Sequence, residues 1–364
     1  MIKSFTAEHF RNLSLSKKLT FSDFNLIFGD NGSGKTSLLE AIYFLIMGRS
    51  FRATKLDRII THQARSFRLT GVLAGSPDKR IGLERSLDTP SINRLDGKNV
   101  AAQAQITILQ PVQLLNYDSY RLLVDAASYR RKFLDWGLFH ERADFIDLWR
   151  RFERVLRQRN IGLKERKLSR EAFKPFNYEL AKLGSEISTL RREYLKKLEQ
   201  ILNEVFQQQL PDQFNMVYHP GWPENEDLLE VIEREFVKDQ QVGYTNSGPQ
   251  RADWWIEFKD QRKVRDVYSR GQQKLLAFTL QLAQGLLLYR TSQRSCVYLI
   301  DDPLAELDDK SYRALECQLA KLPQDACQFF ITSLKLKRPK SELVKLYPKW
   351  QALNIEHGQL TQFS

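Results

Sequence analysis

Hydrophobic and polar positions divide the chain into a strand-rich beginning, a helical middle and a mixed end. Residues 24–28 form a short apolar run typical of a buried strand, and residues 36–47 have the length and composition of a helix. Asp96 and Gly97 predict a hairpin turn, because both residue types tolerate positive φ. Further short β-type runs are found at residues 66–73, 81–85 and 91–95.

From about residue 120 the apolar spacing becomes helical. Apolar residues recur every three or four positions between residues 180 and 205, which predicts a helix of at least 25 residues with one apolar seam. A similar seam at residues 145–155 predicts a second helix, and Pro175 interrupts the path between the two. Two such helices joined by a turn predict an antiparallel hairpin arm about 40 Å long.

Towards the end of the chain the sequence again contains patterns typical of strands and of helices. Residues 254–258 alternate as a strand does, and an apolar helix is predicted from about residue 270 to residue 289. Apolar runs at residues 297–300 and 328–331 are typical of buried strands.

Composition and charge add a first indication of function. The 364 residues are 42 % hydrophobic, which is enough for a substantial core. The net charge of +12 favours a polyanionic partner, either nucleic acid or an anionic membrane surface. Residues 121–206 hold twenty Lys or Arg against thirteen Asp or Glu, so they contribute seven of these charges. DNA contact by the basic arm and a merely solvated basic face both remain open.

Cysteine usage and hydropathy indicate the compartment. Cys296, Cys317 and Cys327 form no C-x-x-C pair, which indicates free thiols in a reducing environment. The first residues have no hydrophobic signal core, and no run of about 18 apolar residues occurs in the sequence. We therefore expect a cytoplasmic protein without a membrane partner.

A phosphate-binding motif follows the first buried strand. Residues 29–36 read Gly-Asp-Asn-Gly-Ser-Gly-Lys-Thr and match G-x(4)-G-K-[ST] between a predicted strand and a predicted helix. In this arrangement backbone N–H groups and the helix N-terminus surround phosphate oxygens. Lys35 can reach the β- and γ-phosphates, and the Thr36 hydroxyl can bind Mg²⁺. The motif predicts that the protein binds a nucleoside triphosphate.

Two further motifs near the end of the chain complete the prediction. The apolar run 297–300 ends in Asp301 and Asp302, the Walker B arrangement, in which the first acid holds Mg²⁺ and the second orients and deprotonates the attacking water. Ser269 begins an apolar helix and is a natural N-cap. The N–H groups at this helix start form a second predicted anion site, which suggests that two protomers share nucleotides across an interface.

These motifs together resemble the SMC/ABC-type ATPases and, within them, the RecF family. The resemblance covers nearly the whole chain. It implies an α/β fold, namely an ABC/SMC-type P-loop ATPase head built from both chain ends with an inserted helical, short coiled-coil hairpin arm. The expected bounds are 1–118 and 241–364 for the head and 119–240 for the arm. The segments that carry the resemblance are residues 10–12, 29–36, 48–52, 129–137, 248–253, 269–272, 299–302 and 306–308.

The resemblance also implies roles for individual residues. Gln113 is the expected Q-loop residue, which senses Mg²⁺ and the γ-phosphate, and it joins Lys35 and Asp302 as a catalytic residue. Thr36, Gln113 and Asp301 are the expected metal ligands. The residues expected to bind ATP are Arg11, Asn12, Gly29, Asp30, Asn31, Gly32, Ser33, Gly34, Lys35, Thr36 and Ser37. Those expected to act on the partner protomer's ATP or at the dimer seam are Ser269, Arg270, Gly271, Gln272 and Asp308.

At the level of function, the resemblance implies an ATP-dependent DNA-binding clamp of recombinational repair. Such a protein dimerises on ATP at duplex and gapped DNA, helps RecO and RecR to load RecA, and is a weak, DNA-stimulated ATPase. Asp302 is one methylene shorter than the usual Glu, and Thr332 and Ser333 stand where many ABC proteins have a histidine. Both departures predict slow ATP hydrolysis, which would serve to release the DNA.

Three other functions remain open at this level. A transporter-type nucleotide-binding subunit would have Leu-Ser-Gly-Gly-Gln, whereas this chain has Arg270 inside its signature. An SMC-like chromosome scaffold would need an arm several times longer than about 40 Å. The third is an ATPase partner of a nuclease in phage defence.

Overall fold

The chain folds into two compact units, which we call the head and the arm. The head comprises Met1–Ser119 together with Arg270–Ser364, and the arm comprises Tyr120–Ser269. The computed structural model describes residues 1–13, 15–165, 169–210, 214–336 and 341–363. Residues 241–269, which we expected in the head, belong to the arm because strand 253–257 pairs with strand 215–219.

The first part of the head is rich in strands and contains one long helix. Its elements are β1 (Ile2–Glu8), β2 (Leu15–Thr20), β3 (Phe24–Phe28), α1 (Lys35–Met47), β4 (Ser66–Leu73), β5 (Lys79–Ser86), β6 (Ile92–Leu95), β7 (Lys98–Asn99), α2 (Ala104–Thr107) and β8 (Val112–Leu115). The predicted hairpin turn between β6 and β7 is confirmed, since Asp96 has a φ of 50° and Gly97 a φ of 79°.

The arm is mainly helical. Its elements are α3 (Arg121–Val124), α4 (Ala127–Glu141), α5 (Phe145–Glu165), α6 (Lys174–Ile201), β9 (Asn215–His219), α7 (Leu228–Arg234), α8 (Phe236–Val242), β10 (Asp253–Glu257) and α9 (Val264–Val267). The two predicted helices are α5 and α6, and Pro175 lies in the first turn of α6, where a missing N–H is tolerated. At 28 residues, α6 is about 42 Å long.

The second part of the head begins with a long buried helix. Its elements are α10 (Arg270–Ser292), β11 (Cys296–Ile300), α11 (Pro303–Glu306), α12 (Asp309–Leu319), β12 (Cys327–Ser333), α13 (Ser341–Leu346), β13 (Gln351–Glu356) and β14 (Gln359–Phe363). The predicted strands at 297–300 and 328–331 are therefore present as β11 and β12.

Two six-stranded sheets form the frame of the head. The antiparallel sheet has the order β2-β1-β4-β5-β6-β7. The other has the order β14-β13-β3-β12-β11-β8, and only β14 is antiparallel to its neighbour. In a parallel sheet the carboxyl ends of the strands meet at one edge, so β3, β11 and β12 direct their following loops to the same place.

Helix α1 is packed between the two sheets. Leu38, Leu39 and Ile42 are fully buried, and they share one core cluster with residues of both sheets. This helix is apolar around most of its circumference because both of its sides are covered. The core therefore holds the start of α1 at a fixed place on the parallel sheet.

Several arginines of the arm are buried in ion pairs. Arg159 pairs with Asp239 at 2.8 Å and both side chains are almost fully buried. Arg191 pairs with Asp135 at 2.8 Å. Asp239 lies outside residues 121–206, so Arg159 takes one charge from the excess counted there, whereas Arg191 and Asp135 already cancel within it. These buried arginines hold the arm together and are not available to a polyanion.

The three cysteines are free, as expected, and two of them are buried. Within the part of the chain that the structure describes, no helix has the length and apolar character needed to cross a membrane.

Candidate nucleotide-binding site

The loop between β3 and α1 has the backbone conformation of a phosphate cradle. Gly29 has a φ of 153° and Gly34 a φ of 118°, both unfavourable for other residues. A Cβ at Gly29 would lie 2.2 Å from the carbonyl oxygen of Ile355 on β13, so the neighbouring strand also excludes a side chain there. The loop is thus shaped both by its glycines and by β13.

Lys35, the first residue of α1, lies inside this loop. Its Nζ donates to the carbonyl oxygens of Gly29 at 2.6 Å and Asp30 at 2.8 Å. The Ser33 Oγ is buried and has no hydrogen-bond partner among the described residues. A buried ammonium group and a buried hydroxyl with unused capacity fit a ligand that brings acceptor oxygens into the loop.

Thr36 and Asp301 meet at the carboxyl edge of the parallel sheet. The Thr36 Oγ1 donates to the two carboxylate oxygens of Asp301 at 3.0 and 3.2 Å. The Thr332 hydroxyl donates to Asp301 Oδ1 at 2.8 Å. One hydroxyl and one carboxylate are a donor set that suits Mg²⁺, which keeps several waters and binds phosphate oxygens as well.

Asp302 has an unusual backbone and an altered acidity. Its φ of 42° and ψ of 59° are left-handed, and its N–H donates to the Thr332 Oγ1 at 2.8 Å. Partial burial raises the pKa of the Asp302 carboxyl, and the neighbouring Asp301 raises it further, whereas the Ala305 N–H and Lys35 lower it. A carboxylate with a raised pKa is a stronger base than an ordinary one, which suits proton abstraction from water.

A cluster of charged side chains forms the opposite wall. Arg11 donates to both carboxylate oxygens of the fully buried Glu40, at 2.8 and 3.0 Å. Arg52 approaches the same carboxylate at 3.6 Å, and Arg11 also bonds to the carbonyl oxygen of Arg58. Glu40 thereby fixes two guanidinium groups beside the phosphate loop, an arrangement that the sequence motif does not contain.

Asn12 connects this wall to the loop. Its Nδ2 donates to the carbonyl oxygen of Gly32 at 2.9 Å, and its Oδ1 accepts a bond from the Ser37 hydroxyl at 2.8 Å. Both the nitrogen and the oxygen of the side-chain amide thus help to hold the phosphate loop against α1.

These groups surround a cavity of about 640 Å³. Pockets for small ligands have volumes of roughly 300–1,000 Å³. The predicted site residues that line it are Arg11, Asn12, Asn31, Gly32, Gly34, Lys35, Thr36, Ser37, Asp301 and Asp302, and the structure adds Arg52, Arg58 and Ile60. Among the predicted residues, Gly29, Asp30 and Ser33 lie in the same loop without lining the cavity.

Gln113 is not brought to this cavity. It lies within β8, two residues before the strand ends, and its Nε2 donates to Gln284 Oε1 of α10 at 2.9 Å. The residue that follows the strand is Asn116, beside Asp301, whose N–H donates to the carbonyl oxygen of Leu115 at 2.9 Å. The metal-binding and catalytic roles expected of Gln113 are therefore not supported by its position.

The residues expected to act on a partner protomer lie outside the cavity. Helix α10 begins at Arg270, directly after Ser269. A Cβ at Gly271 would lie 3.9 Å from Asp308 Oδ2, so the signature and the D-loop are neighbours within one chain. An ion pair between Lys274 and Glu306 joins α10 to α11. The structure places Arg270, Gly271 and Gln272 in the first turn of α10.

The sequence analysis missed the hairpin of β13 and β14. The Gly358 N–H donates to the carbonyl oxygen of Ser33 at 2.8 Å. A Cβ at Gly358 would lie 1.8 Å from the carbonyl oxygen of Asn12. The only local signal is a glycine after His357 between two short alternating runs, which predicts a turn but not its contact with the phosphate loop.

Comparison with known proteins agrees with this geometry. Residues 1–348 match the family model described as the RecF/RecN/SMC N-terminal domain. A protein of Pseudomonas aeruginosa (strain LESB58) named DNA replication and repair protein RecF is 38 % identical over 341 residues, 93 % of this chain and 91 % of that protein. A protein of the same name from Chromohalobacter salexigens is 38 % identical over 358 residues, 96 % of both chains.

Solved structures share the fold. The recombination mediator protein RecF–ATP of the RecFOR pathway superimposes with a TM-score of 0.84 at 23 % identity, covering 100 % of this chain and 97 % of the other. The Smc head bound to the C-winged helix domain of ScpA has a TM-score of 0.59 at 16 % identity, covering 100 % and 97 %. The ABC/SMC-type head expected from the sequence is thereby confirmed.

Proposed function

Since the chain belongs to the RecF family of DNA replication and repair proteins, within the SMC/ABC-type ATPases, we propose that it is an ATP-dependent DNA clamp. In this proposal ATP and Mg²⁺ occupy the cavity, two chains dimerise around the nucleotides, and the dimer holds DNA at gaps. Slow hydrolysis then releases it. RecO and RecR are the proposed partners, with RecA loading as the outcome.

The observation that carries the proposal is the meeting of Lys35, Thr36, Asp301 and Asp302 in one cavity. These residues come from opposite ends of the sequence, and no other class of ligand needs a phosphate cradle, a hydroxyl–carboxylate pair and a second acid together.

In the proposed mechanism Lys35 and the loop N–H groups bind the β- and γ-phosphates. The metal ion, when bound, supplies charge neutralisation between these phosphates. Thr36 and Asp301 hold the position of that ion, and Thr332 orients the Asp301 carboxylate. Asp302 accepts a proton from the attacking water. Arg11 and Arg52, oriented by Glu40, add fixed positive charge at the cavity wall.

Dimerisation is proposed because the site is incomplete within one chain. The signature residues of α10 lie outside the cavity, so their proposed phosphate contact has to be made to a second copy. Leu334 and Leu336, which follow β12 at the sheet edge that carries the site, are 45 % and 42 % exposed. Exposed apolar side chains beside a nucleotide site fit an interface that forms when nucleotide binds.

The alternative functions are less well supported. A helix of about 42 Å is far shorter than the coiled coil that a chromosome scaffold needs. A transporter subunit is disfavoured by Arg270 in the signature and by a family match to DNA repair proteins. None of the three alternatives, including an ATPase partner of a nuclease, is favoured by an observation of its own.

The test is fluorescence anisotropy with gapped, duplex and single-stranded DNA in the presence of ATP or ADP at two salt concentrations. The Lys35→Met variant is compared with Lys3→Met, which removes an exposed lysine that pairs with Asp78. We expect tight binding of duplex-containing DNA only with ATP, a steep loss with salt, and loss of the ATP effect in Lys35→Met alone. Equal DNA affinity in the presence of ATP and of ADP would contradict the proposed clamp function.

A further inference from the structure

The outer face of the antiparallel sheet carries a second cavity, separate from the nucleotide site. It is a trough of about 340 Å³. One row of residues crosses its floor on four neighbouring strands, because Thr6 pairs with Thr70, Thr70 with Gly82, and Gly82 with Arg94. The alternate residues of the same strands, such as Leu83, point to the core, so this row faces away from α1.

Three cations line the trough, and Asp96 is an acidic neighbour of one of them, Arg80. Lys18, Arg80 and Arg94 are exposed and form no ion pair within the ranges that the structure describes. Asp96 accepts a bond from the backbone N–H of Arg80, but its carboxylate pairs with Lys79. Other cations of this sheet and its loops are paired, namely Lys3 with Asp78, Arg65 with Asp88, Arg68 with Glu84 and Lys79 with Asp96.

The fold does not require the glycine in the middle of the trough. Gly82 is not in the left-handed region, and a Cβ there would meet only ordinary contacts, 3.6 Å to the Leu69 carbonyl oxygen and 3.7 Å to Thr70 Cγ2. By contrast, a Cβ at Gly71 would lie 2.8 Å from Leu45. A glycine inside a strand weakens the strand and often marks a place where another chain or ligand approaches closely.

The chemistry of the floor distinguishes between possible occupants. The hydroxyl groups of Thr6 and Thr70 bond to each other at 2.6 Å, and Val72 adds an apolar side chain. The floor therefore accepts apolar groups, and the positive charge lies at the rim. A duplex presents a convex row of phosphates, which would use the rim and leave this recessed floor empty. A peptide with acidic and apolar residues uses both.

We propose that the trough is a docking site for an acidic segment of a partner protein, with apolar side chains on the floor and carboxylates at Lys18, Arg80 and Arg94. The surface is independent of the nucleotide cavity, so it goes beyond the clamp function. Its volume accommodates a few side chains, which fits a short linear segment.

The probe is a set of fluorescein-labelled ten-residue peptides that alternate Asp with Leu, Val or Phe, measured by anisotropy with the full chain. One control set replaces Asp by Lys, and another replaces the apolar residues by Ser. We expect binding of the acidic–apolar set only, with affinity falling as salt rises. The double variant Arg80→Ala/Arg94→Ala and the single variant Gly82→Val, which fills the floor without a change of charge, should each weaken binding at least tenfold.

The matched control is Lys3→Ala/Arg65→Ala, which removes two paired cations from the same unit and should leave peptide binding unchanged. ATP binding verifies that each variant head is folded. Absence of peptide binding, or binding that both trough variants leave intact, overturns the proposal. It is equally overturned if the trough variants lower affinity for duplex DNA while no peptide binds, since the rim would then be a DNA contact.

Discussion

The hydroxyl of Thr332 donates a hydrogen bond of 2.8 Å to the Oδ1 of Asp301. The Thr332 hydroxyl oxygen in turn accepts a hydrogen bond from the backbone N–H of Asp302, also at 2.8 Å. A single fully buried threonine on β12 thus orients both acids that follow β11. The side chain of Thr332, which belongs to the strand itself, therefore contacts both residues of the acidic pair.

Replacement of this threonine should therefore affect catalysis through the acids. Thr332→Val keeps the shape but removes the donor to Asp301 and leaves the Asp302 N–H without its acceptor. Loss of a residue that orients a metal ligand reduces metal affinity or activity by roughly 10–100-fold. We expect a fall of this size in kcat or in Mg²⁺ affinity, measured by steady-state ATPase assays over a Mg²⁺ titration.

Thr332→Ser is the control, because it retains the hydroxyl and should keep most of the activity. Full activity and unchanged Mg²⁺ affinity in Thr332→Val would show that these hydrogen bonds do not position the acids.

The second prediction concerns Asp302 and pH. Because burial raises the pKa of this carboxyl, proton abstraction should fail as pH decreases through a value above that of an ordinary aspartate. Asp302→Asn should bind ATP but hydrolyse it at least 100-fold more slowly. It should also lose the acidic limb of the pH–rate profile. Single-turnover ATPase assays between pH 4.5 and 8 measure this, and a mutant profile with the same acidic limb would assign the base elsewhere.

The same shift has a consequence for stability. The folded state holds the Asp302 proton more tightly than the unfolded state does, so the ionised carboxylate destabilises the folded protein above the folded-state pKa. This destabilisation disappears as pH falls below the ordinary aspartate value. Asp302→Asn is therefore expected to raise the Tm at pH 7 relative to the native protein, with the difference shrinking in acid. A lower Tm at pH 7 would contradict the sign.

The third prediction tests the β13–β14 hairpin as a support of the phosphate loop. Gly358→Ala places a Cβ 1.8 Å from the Asn12 carbonyl oxygen, so either the hairpin or the loop has to move. We expect ATP affinity, measured by equilibrium dialysis, to fall at least tenfold.

Gly97→Ala is the matched control for this change. Gly97 has a φ of 79°, against 77° at Gly358, and a Cβ there would have no neighbour within 4 Å. In both variants the left-handed backbone of the new alanine costs about 1–2 kcal/mol. The two variants therefore differ only in the contact with Asn12. Equal ATP affinity in the two variants would mean that the hairpin does not support the loop.

The fourth prediction concerns the buried carboxylate of Glu40. Arg11→Ala removes a bidentate partner, and among the residues that the structure describes it leaves Glu40 with the 3.6 Å approach of Arg52 and the bond from Ser50. Removing one partner of a buried ion pair destabilises a protein by about 3–5 kcal/mol. In the double variant Arg11→Ala/Glu40→Gln the unpaired buried charge is gone, so we expect a smaller loss in the free energy of unfolding than in Arg11→Ala alone. Urea unfolding of both variants and of Glu40→Gln measures this difference. Additive losses would show that the pair is not coupled.

Motifs with fixed local spacing could be predicted from the sequence. The P-loop was found because its glycines, lysine and threonine lie within eight residues and only one arrangement of strand and helix suits them. Asp301 and Asp302 were found because an apolar run directly precedes them. The position of Gln113 could not be predicted, because a resemblance assigns a role without showing where the strand ends, and here the strand continues to Leu115.

The sequence by itself determined the phosphate loop, the strand with its two acids, the helical hairpin and hence the family. These features depend on residues close together in the chain, whose backbone preferences and periodicity are local. Only the tertiary structure decided that Thr332 holds Asp301, that Glu40 holds Arg11, and that Gly358 supports Ser33. Such contacts join residues far apart in the chain, and no local pattern records them, because their geometry depends on the register and packing of the sheets.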